Sequence, residues 1–227
     1  MENKIAVPRT ALLAGATGLV GRALLPMLLA AKQYRSVHIM VRRGVPDIKT
    51  SARLKVHKVD FARLPEAFPS VDDVFIALGT TIKAAGSEPA FRKVDFDFVV
   101  NTAKAARAAG ATRLAVVSAL GADPGSRVFY NRVKGEMEAA IAQLGYESVV
   151  VARPSLLLGD RTALGQPERS GEIWMGRLLG PLSWIVPKGV RPISAHAVAS
   201  ALLTAILAAK PGVYVLKSGA MQVHDQP

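Results

Sequence analysis

Short apolar, β-branched runs alternate along the chain with longer amphipathic stretches. The runs "TALLAG" (10–15), "SVHIMV" (36–41), "LKVHKV" (54–59), "DVFIAL" (73–78), "RLAVVS" (113–118) and "ESVVVAR" (147–153) read as strands, and "GVYVL" (212–216) adds a late one. Continuous apolar runs of this length fit strands covered on both faces, as in a parallel sheet. Residues 18–33, 88–109, 126–144 and 194–209 read as the helices between them, the last with Ser194 as its cap. Strands alternating with helices predict βαβ units and an α/β fold: one doubly wound, Rossmann-like parallel sheet over 1–227 with a small C-terminal substrate portion. Residues 160–192 break the rhythm. They are rich in Gly, Pro and Arg and carry Trp174 and Trp184. They read either as a cover over a pocket or as a surface excursion packed by its own aromatics.

The chain has 227 residues, half of them hydrophobic, enough for a sizeable core in one domain. Cysteine is absent. Disulfides, zinc–thiolate sites and thiol nucleophiles are therefore excluded, and a reducing cytoplasm is the expected home. The net charge of +12 is uneven: residues 1–60 hold 11 Lys and Arg against 3 Asp and Glu. Nucleic acid, an anionic membrane surface and an anionic small ligand all suit such an excess. No helix-turn-helix, zinc finger or aromatic-basic array supports the first, so no nucleic-acid partner is expected.

The first 31 residues imitate a signal peptide or membrane span. Arg22 in mid-run, three spaced glycines and a split into two apolar blocks argue instead for a strand and a helix. No other run reaches the length of a span.

The stretch "GATGLVG" places Gly15, Gly18 and Gly21 directly after the first strand and at the start of the first helix. Gly15 permits a tight turn, Gly18 a close approach of backbone to a pyrophosphate, and Gly21 close packing of helix on sheet. The free N–H groups and positive end of the helix then face the phosphates. In this strand–turn–helix context the motif is a strong dinucleotide signal. An NAD site usually carries an acid at the end of the second strand; here "IMVRRG" carries Arg42 and Arg43. Two guanidinium groups suit a 2′-phosphate, which favours NADP(H) over NAD(H).

Tyr130 and Lys134 follow the fifth predicted strand and lie four apart, on one face of a helix. With "GATGLVG", "VRRG", "KVDF", "ALGTT", "FRKVDFD", "VVSALGAD", "YNRVKGEME" and "ARPSLLLG", nearly the whole chain resembles an atypical short-chain dehydrogenase/reductase. It is most similar to the Tat-interacting-protein type of NADPH-binding proteins and their small bacterial relatives. The glycine spacing resembles that of the extended and atypical kinds. The resemblance implies that Tyr130 is the acid and that Lys134 favours its ionised form and holds the nicotinamide ribose. It puts the diphosphate on Gly15, Ala16, Thr17, Gly18, Leu19, Val20 and Gly21, and Asp60 and Phe61 beside the adenine. Leu78, Gly79 and Thr80 would line the ribose and diphosphate path, and Arg153, Pro154 and Ser155 would border the nicotinamide. Ser118 would hold a substrate carbonyl. Relatives often carry that hydroxyl one or two residues past the strand, where this chain has Ala119 and Leu120, so a structural serine is the alternative.

Other polar residues carry no chemistry in this reading. His38, His57, His196 and His224 lack metal-ligand spacing, Asp72–Asp73 reads as a turn, and Asp95 and Asp97 point in different directions on a helix. The alanines of 101–111 read as packing. The expected function is transfer of hydride between NADP(H) and a small carbonyl or alcohol. An NADPH-binding regulatory protein without turnover is the alternative. A homodimer through the helices 88–109 and 126–144 is the association mode seen in relatives.

Overall fold

The computed structural model describes residues 8–42, 51–158 and 189–224. Seven parallel strands form one sheet in the order β3-β2-β1-β4-β5-β6-β9. They are β1 (Arg9–Ala14), β2 (Tyr34–Val41), β3 (Leu54–Lys58), β4 (Asp73–Ile76), β5 (Arg113–Val117), β6 (Ser148–Arg153) and β9 (Gly212–Lys217). This is the expected Rossmann-like sheet, and every strand lies within a few residues of its predicted run. Successive side chains point to opposite faces. Leu13, Ile39, Ala115 and Val150 therefore enter one core with helices α1 (Leu19–Ala30) and α6 (Ala195–Ala208). Leu12, Met40, Leu114 and Val151 enter the other, with α4 (Val99–Ala108) and α5 (Phe129–Ala142). Two covered faces explain why the inner strands β1, β2, β4, β5 and β6 read as apolar runs, whereas the edge strands β3 and β9 are largely exposed. Ser194 caps α6 as expected, its hydroxyl accepting from the Ala197 N–H at 3.0 Å.

Some expectations change. The helix foreseen over 88–109 runs without a break over Glu88–Ala108, but its middle winds differently: α3 (Glu88–Arg92) passes into a π-helical segment (Lys93–Phe98) and then into α4. A short α2 (Ile82–Ala85) was not foreseen; Thr81 caps it, accepting from the Ala84 N–H. Asp73 is not a turn residue. It opens β4 with its side chain fully buried, accepting from the Tyr34 hydroxyl at 2.6 Å and pairing with Arg9 at 3.1 Å. A further parallel pair, β7 (Leu157–Leu158) with β8 (Ile193–Ser194), lies near the carboxyl end of β6. The C-terminal α7 (Ser218–Met221) follows β9. Most of 160–192, with both tryptophans, lies outside the described residues, as does Arg43.

In this strand order the winding of the sheet reverses between the parallel neighbours β1 and β4. The loops after their carboxyl ends separate there and leave a crevice, the usual ligand position in open α/β sheets. A cavity of about 780 Å³ occupies it. A second, of about 590 Å³, lies by the start of β1 and β5. Two of its cations, Arg9 and Arg113, are turned to Asp73.

Candidate active site

The turn after β1 is built as its glycines require. Gly15 has φ +92°, and a Cβ there would stand 2.5 Å from the Ala77 carbonyl oxygen. A Cβ on Gly21 would stand 2.0 Å from the Gly15 carbonyl oxygen, so α1 is pressed onto the turn. Gly18 differs. Its φ of −82° suits any residue, and its nearest neighbour would lie 3.5 Å from an added Cβ. Nothing among the described residues demands glycine at 18. A ligand approaching the backbone would, and Gly18, Leu19 and Val20 line the cavity at the N-terminus of α1, where the first N–H groups have no helical acceptor. Ala16 is buried beneath the turn and Thr17 is exposed on its rim. These features fit a dinucleotide diphosphate.

Arg42, exposed at the end of β2, lines the same cavity, as do Leu78, Gly79 and Thr80 after β4. Pro154 and Ser155 close it after β6. The Ser155 hydroxyl donates to the Arg191 carbonyl and lies 2.9 Å from the Ser218 hydroxyl, which ties this wall to the C-terminal segment.

Tyr130 and Lys134 both line the cavity from α5. The Tyr130 ring packs against the fully buried Phe91 of α3, centroids 5.3 Å apart. Among the described residues its hydroxyl has no hydrogen-bond partner. The Lys134 ammonium is almost wholly buried and lies 2.7 Å from Oδ1 of Asp95. Burial alone would lower its pKa, but the charges of Asp95, Tyr130 and Glu138 raise it above the ordinary lysine value. The helix reaches this depth because of Gly135, where an added Cβ would stand 2.2 Å from the Asp123 carbonyl carbon.

Asp95 was passed over in the sequence, and it belongs to the site. It is 1% exposed, and its Oδ2 accepts from the Thr80 N–H at 2.8 Å. The signal was present: Phe91, Asp95 and Phe98 fall at helical spacing on one stripe, and the two phenylalanines are buried. A carboxylate on an apolar stripe is the anomaly to follow. Asp97 lies off it.

Several expected roles do not hold as drawn. Phe61 is 2% exposed and stacks on Phe98, centroids 6.0 Å apart, so its ring belongs to the core and presents no face to an adenine. Asp60 is exposed, with its carboxylate accepting from the Ala62 N–H of its own turn. Neither lines the cavity. Arg153 does not line it either. Its guanidinium grips Glu138 through Nε at 3.0 Å and Nη2 at 2.5 Å, which raises its already high pKa. Ser118 does line the cavity, but its hydroxyl donates to the Glu138 carboxylate. Glu138, one turn beyond Lys134, was not singled out in the sequence.

The NAD(P)H-binding family matches residues 15–170. Protein FMP52, mitochondrial, of Eremothecium gossypii is 38% identical over 66% of this chain and 67% of its own length. Protein HTATIP2 of Rattus norvegicus is 35% identical over 78% of this chain and 70% of its own. The Bordetella bronchiseptica enzyme WbmH, solved in complex with NAD+, superposes with a TM-score of 0.68 at 15% identity, over 96% of this chain and 79% of its own, a likeness of fold. The FMP52 relatives are mitochondrial by name, which overturns the cytoplasmic location expected from the lack of cysteine. Among the described residues no helix is long and apolar enough to cross a membrane. The chain belongs to the NAD(P)H-binding family, as an atypical short-chain dehydrogenase/reductase of the Tat-interacting-protein type.

Proposed function

We propose that this protein is an NADP(H)-dependent oxidoreductase acting on a small carbonyl or alcohol. The observation that carries the reading is one cavity holding both the glycine turn and the Tyr130–Lys134 pair. The bound nicotinamide would supply or accept the hydride. Lys134 has three N–H donors; one direction is taken by Asp95, and the others remain for ribose hydroxyls. The Tyr130 hydroxyl, which has no hydrogen-bond partner among the described residues, would give its proton to the carbonyl oxygen in reduction and take one back in oxidation. Arg42 at the cavity rim, with Arg43 beside it in sequence, meets the 2′-phosphate. Ser118 would hold the substrate carbonyl once its hydroxyl turns from Glu138 to donate to that oxygen. A homodimer through the outer faces of 88–109 and 126–144 belongs to the same proposal.

One observation favours the second reading, a nucleotide-binding protein without turnover. Lys134 and Ser118 are already engaged by Asp95 and Glu138. Thermal unfolding with equal NADPH and NADH separates the first step. A ligand at 100 times its Kd adds about 2.7 kcal/mol to the folded state. A rise with NADPH and little with NADH supports the phosphate assignment, and no rise with either removes the cofactor reading. A carbonyl panel with wild type and Y130F then separates enzyme from binder.

A further inference from the structure

The four histidines show no metal-ligand spacing along the chain, yet the sheet brings two of them together. In the register of β2 with β3, Met40 stands opposite His57 and His38 opposite Lys55, so His38 and His57 share one face, a step apart. Nε2 of His57 lies 3.0 Å from Nδ1 of His38, and the ring planes are within 19° of parallel. β3 is an edge strand with β2 as its one neighbour. His38 is 9% exposed and His57 is half-buried, so the pair sits just beneath the surface.

A plain N–H···N hydrogen bond is the simplest account of this contact, and a second use follows from the same geometry. Burial lowers the pKa of both rings and keeps them neutral at neutral pH. A neutral imidazole has one nitrogen with a free lone pair. With each proton on the nitrogen away from the contact, two lone pairs share one gap. With metal–nitrogen bonds of about 2.0–2.1 Å, a right angle at the metal needs nitrogens about 2.9 Å apart and a tetrahedral angle about 3.4 Å. The observed 3.0 Å fits the right angle. Square nitrogen sites suit Cu2+ and Ni2+, whereas Zn2+ takes tetrahedral ones.

We infer that His38 and His57 form a two-nitrogen site for Cu2+ at the β2–β3 edge, with water in its remaining positions. The rings turn about their side-chain bonds to aim both lone pairs at one point, and His57 has room to do so on an edge strand. Among the described residues no third His, Cys, Asp or Glu gathers with them. Lys55 opposes a dication, since its charge acts on both rings. The site is therefore a weak one, and a bound ion would pin β3 to its single neighbour.

The test titrates the untagged full chain with copper(II) chloride in a non-chelating buffer. Calorimetry is expected to show one equivalent bound, and electron paramagnetic resonance to show splitting from two nitrogens. H57N keeps a polar side chain without the imidazole and is expected to weaken binding at least about tenfold, with the two-nitrogen pattern lost. H196N, on α6, leaves both readouts at wild type. No binding to the wild type overturns the inference, as does H57N with wild-type affinity, or an H196N loss equal to that of H57N, which would place the ion elsewhere. Should H57N fail to fold by circular dichroism, K55M, at an exposed position, carries the test. It is expected to tighten Cu2+ about threefold by removing a like charge, and an unchanged affinity overturns the inference.

Discussion

The hydroxyl of Ser118, at the end of β5, donates to the carboxylate of Glu138 on α5, and the same carboxylate takes a two-nitrogen grip from Arg153 at the end of β6. One side chain thus fastens two strand ends to the helix that carries Tyr130 and Lys134. E138Q weakens both attachments. It is expected to lower stability by about 2 kcal/mol, read from the urea midpoint. An unchanged midpoint would show that the two strand ends hold without it.

Gly135 sets how deeply α5 is seated. G135A places a methyl group 2.2 Å from the Asp123 carbonyl carbon, with backbone rather than a yielding side chain in the way. The expected loss is about 3 kcal/mol. Nucleotide-dependent stabilisation should fall with it, because Lys134 is the adjacent residue.

Gly15 and Gly18 should separate fold from binding. G15A is strained by its φ of +92° and by the Ala77 carbonyl, and is expected to destabilise by about 3 kcal/mol. G18A meets only ordinary contacts and should stay within about 1 kcal/mol of wild type. It should nonetheless weaken NADPH at least about tenfold, some 1.4 kcal/mol, by calorimetric titration.

Arg42 lines the cavity, and the proposed function gives it the 2′-phosphate. R42A is expected to weaken NADPH about tenfold while leaving NADH within about twofold, so that selectivity collapses. Equal losses for both nucleotides would remove the phosphate assignment.

His38 and His57 stack across β2 and β3, with Nε2 of His57 3.0 Å from Nδ1 of His38. Burial, then the charges of His57 and Lys55, pushes His38 down to about 4, and burial also lowers His57. An imidazole with a folded pKa below its unfolded value near 6.5 binds more protons when unfolded between the two values. Its contribution is therefore intact above about pH 6.5 and is lost as pH falls towards about 4. H38L should flatten that part of the urea-midpoint profile relative to wild type.

The sequence by itself determined the architecture and the cofactor turn, because both rest on local rules. Apolar runs such as 113–118 and 147–153 can be satisfied only where both faces are covered. Gly21 answers to a backbone clash with Gly15 six residues before it, and Gly15 to the positive φ of its own turn, while the clash of a Cβ there with Ala77 comes from a distant strand. The four-residue spacing of Tyr130 and Lys134 places them together on any helix. What only the tertiary structure decided concerns partners distant in sequence. Asp95 meets Lys134 across 39 positions, and Ser118 meets Glu138 across 20. A local pattern shows that a side chain is polar, but which charge it faces depends on how the helices seat on the sheet. The same holds for Phe61, whose place after β3 suits an adenine in family terms, yet whose ring is claimed by Phe98 and the core. Burial and pairing are properties of the packed whole, and they decide which residues of a legible motif remain free to act.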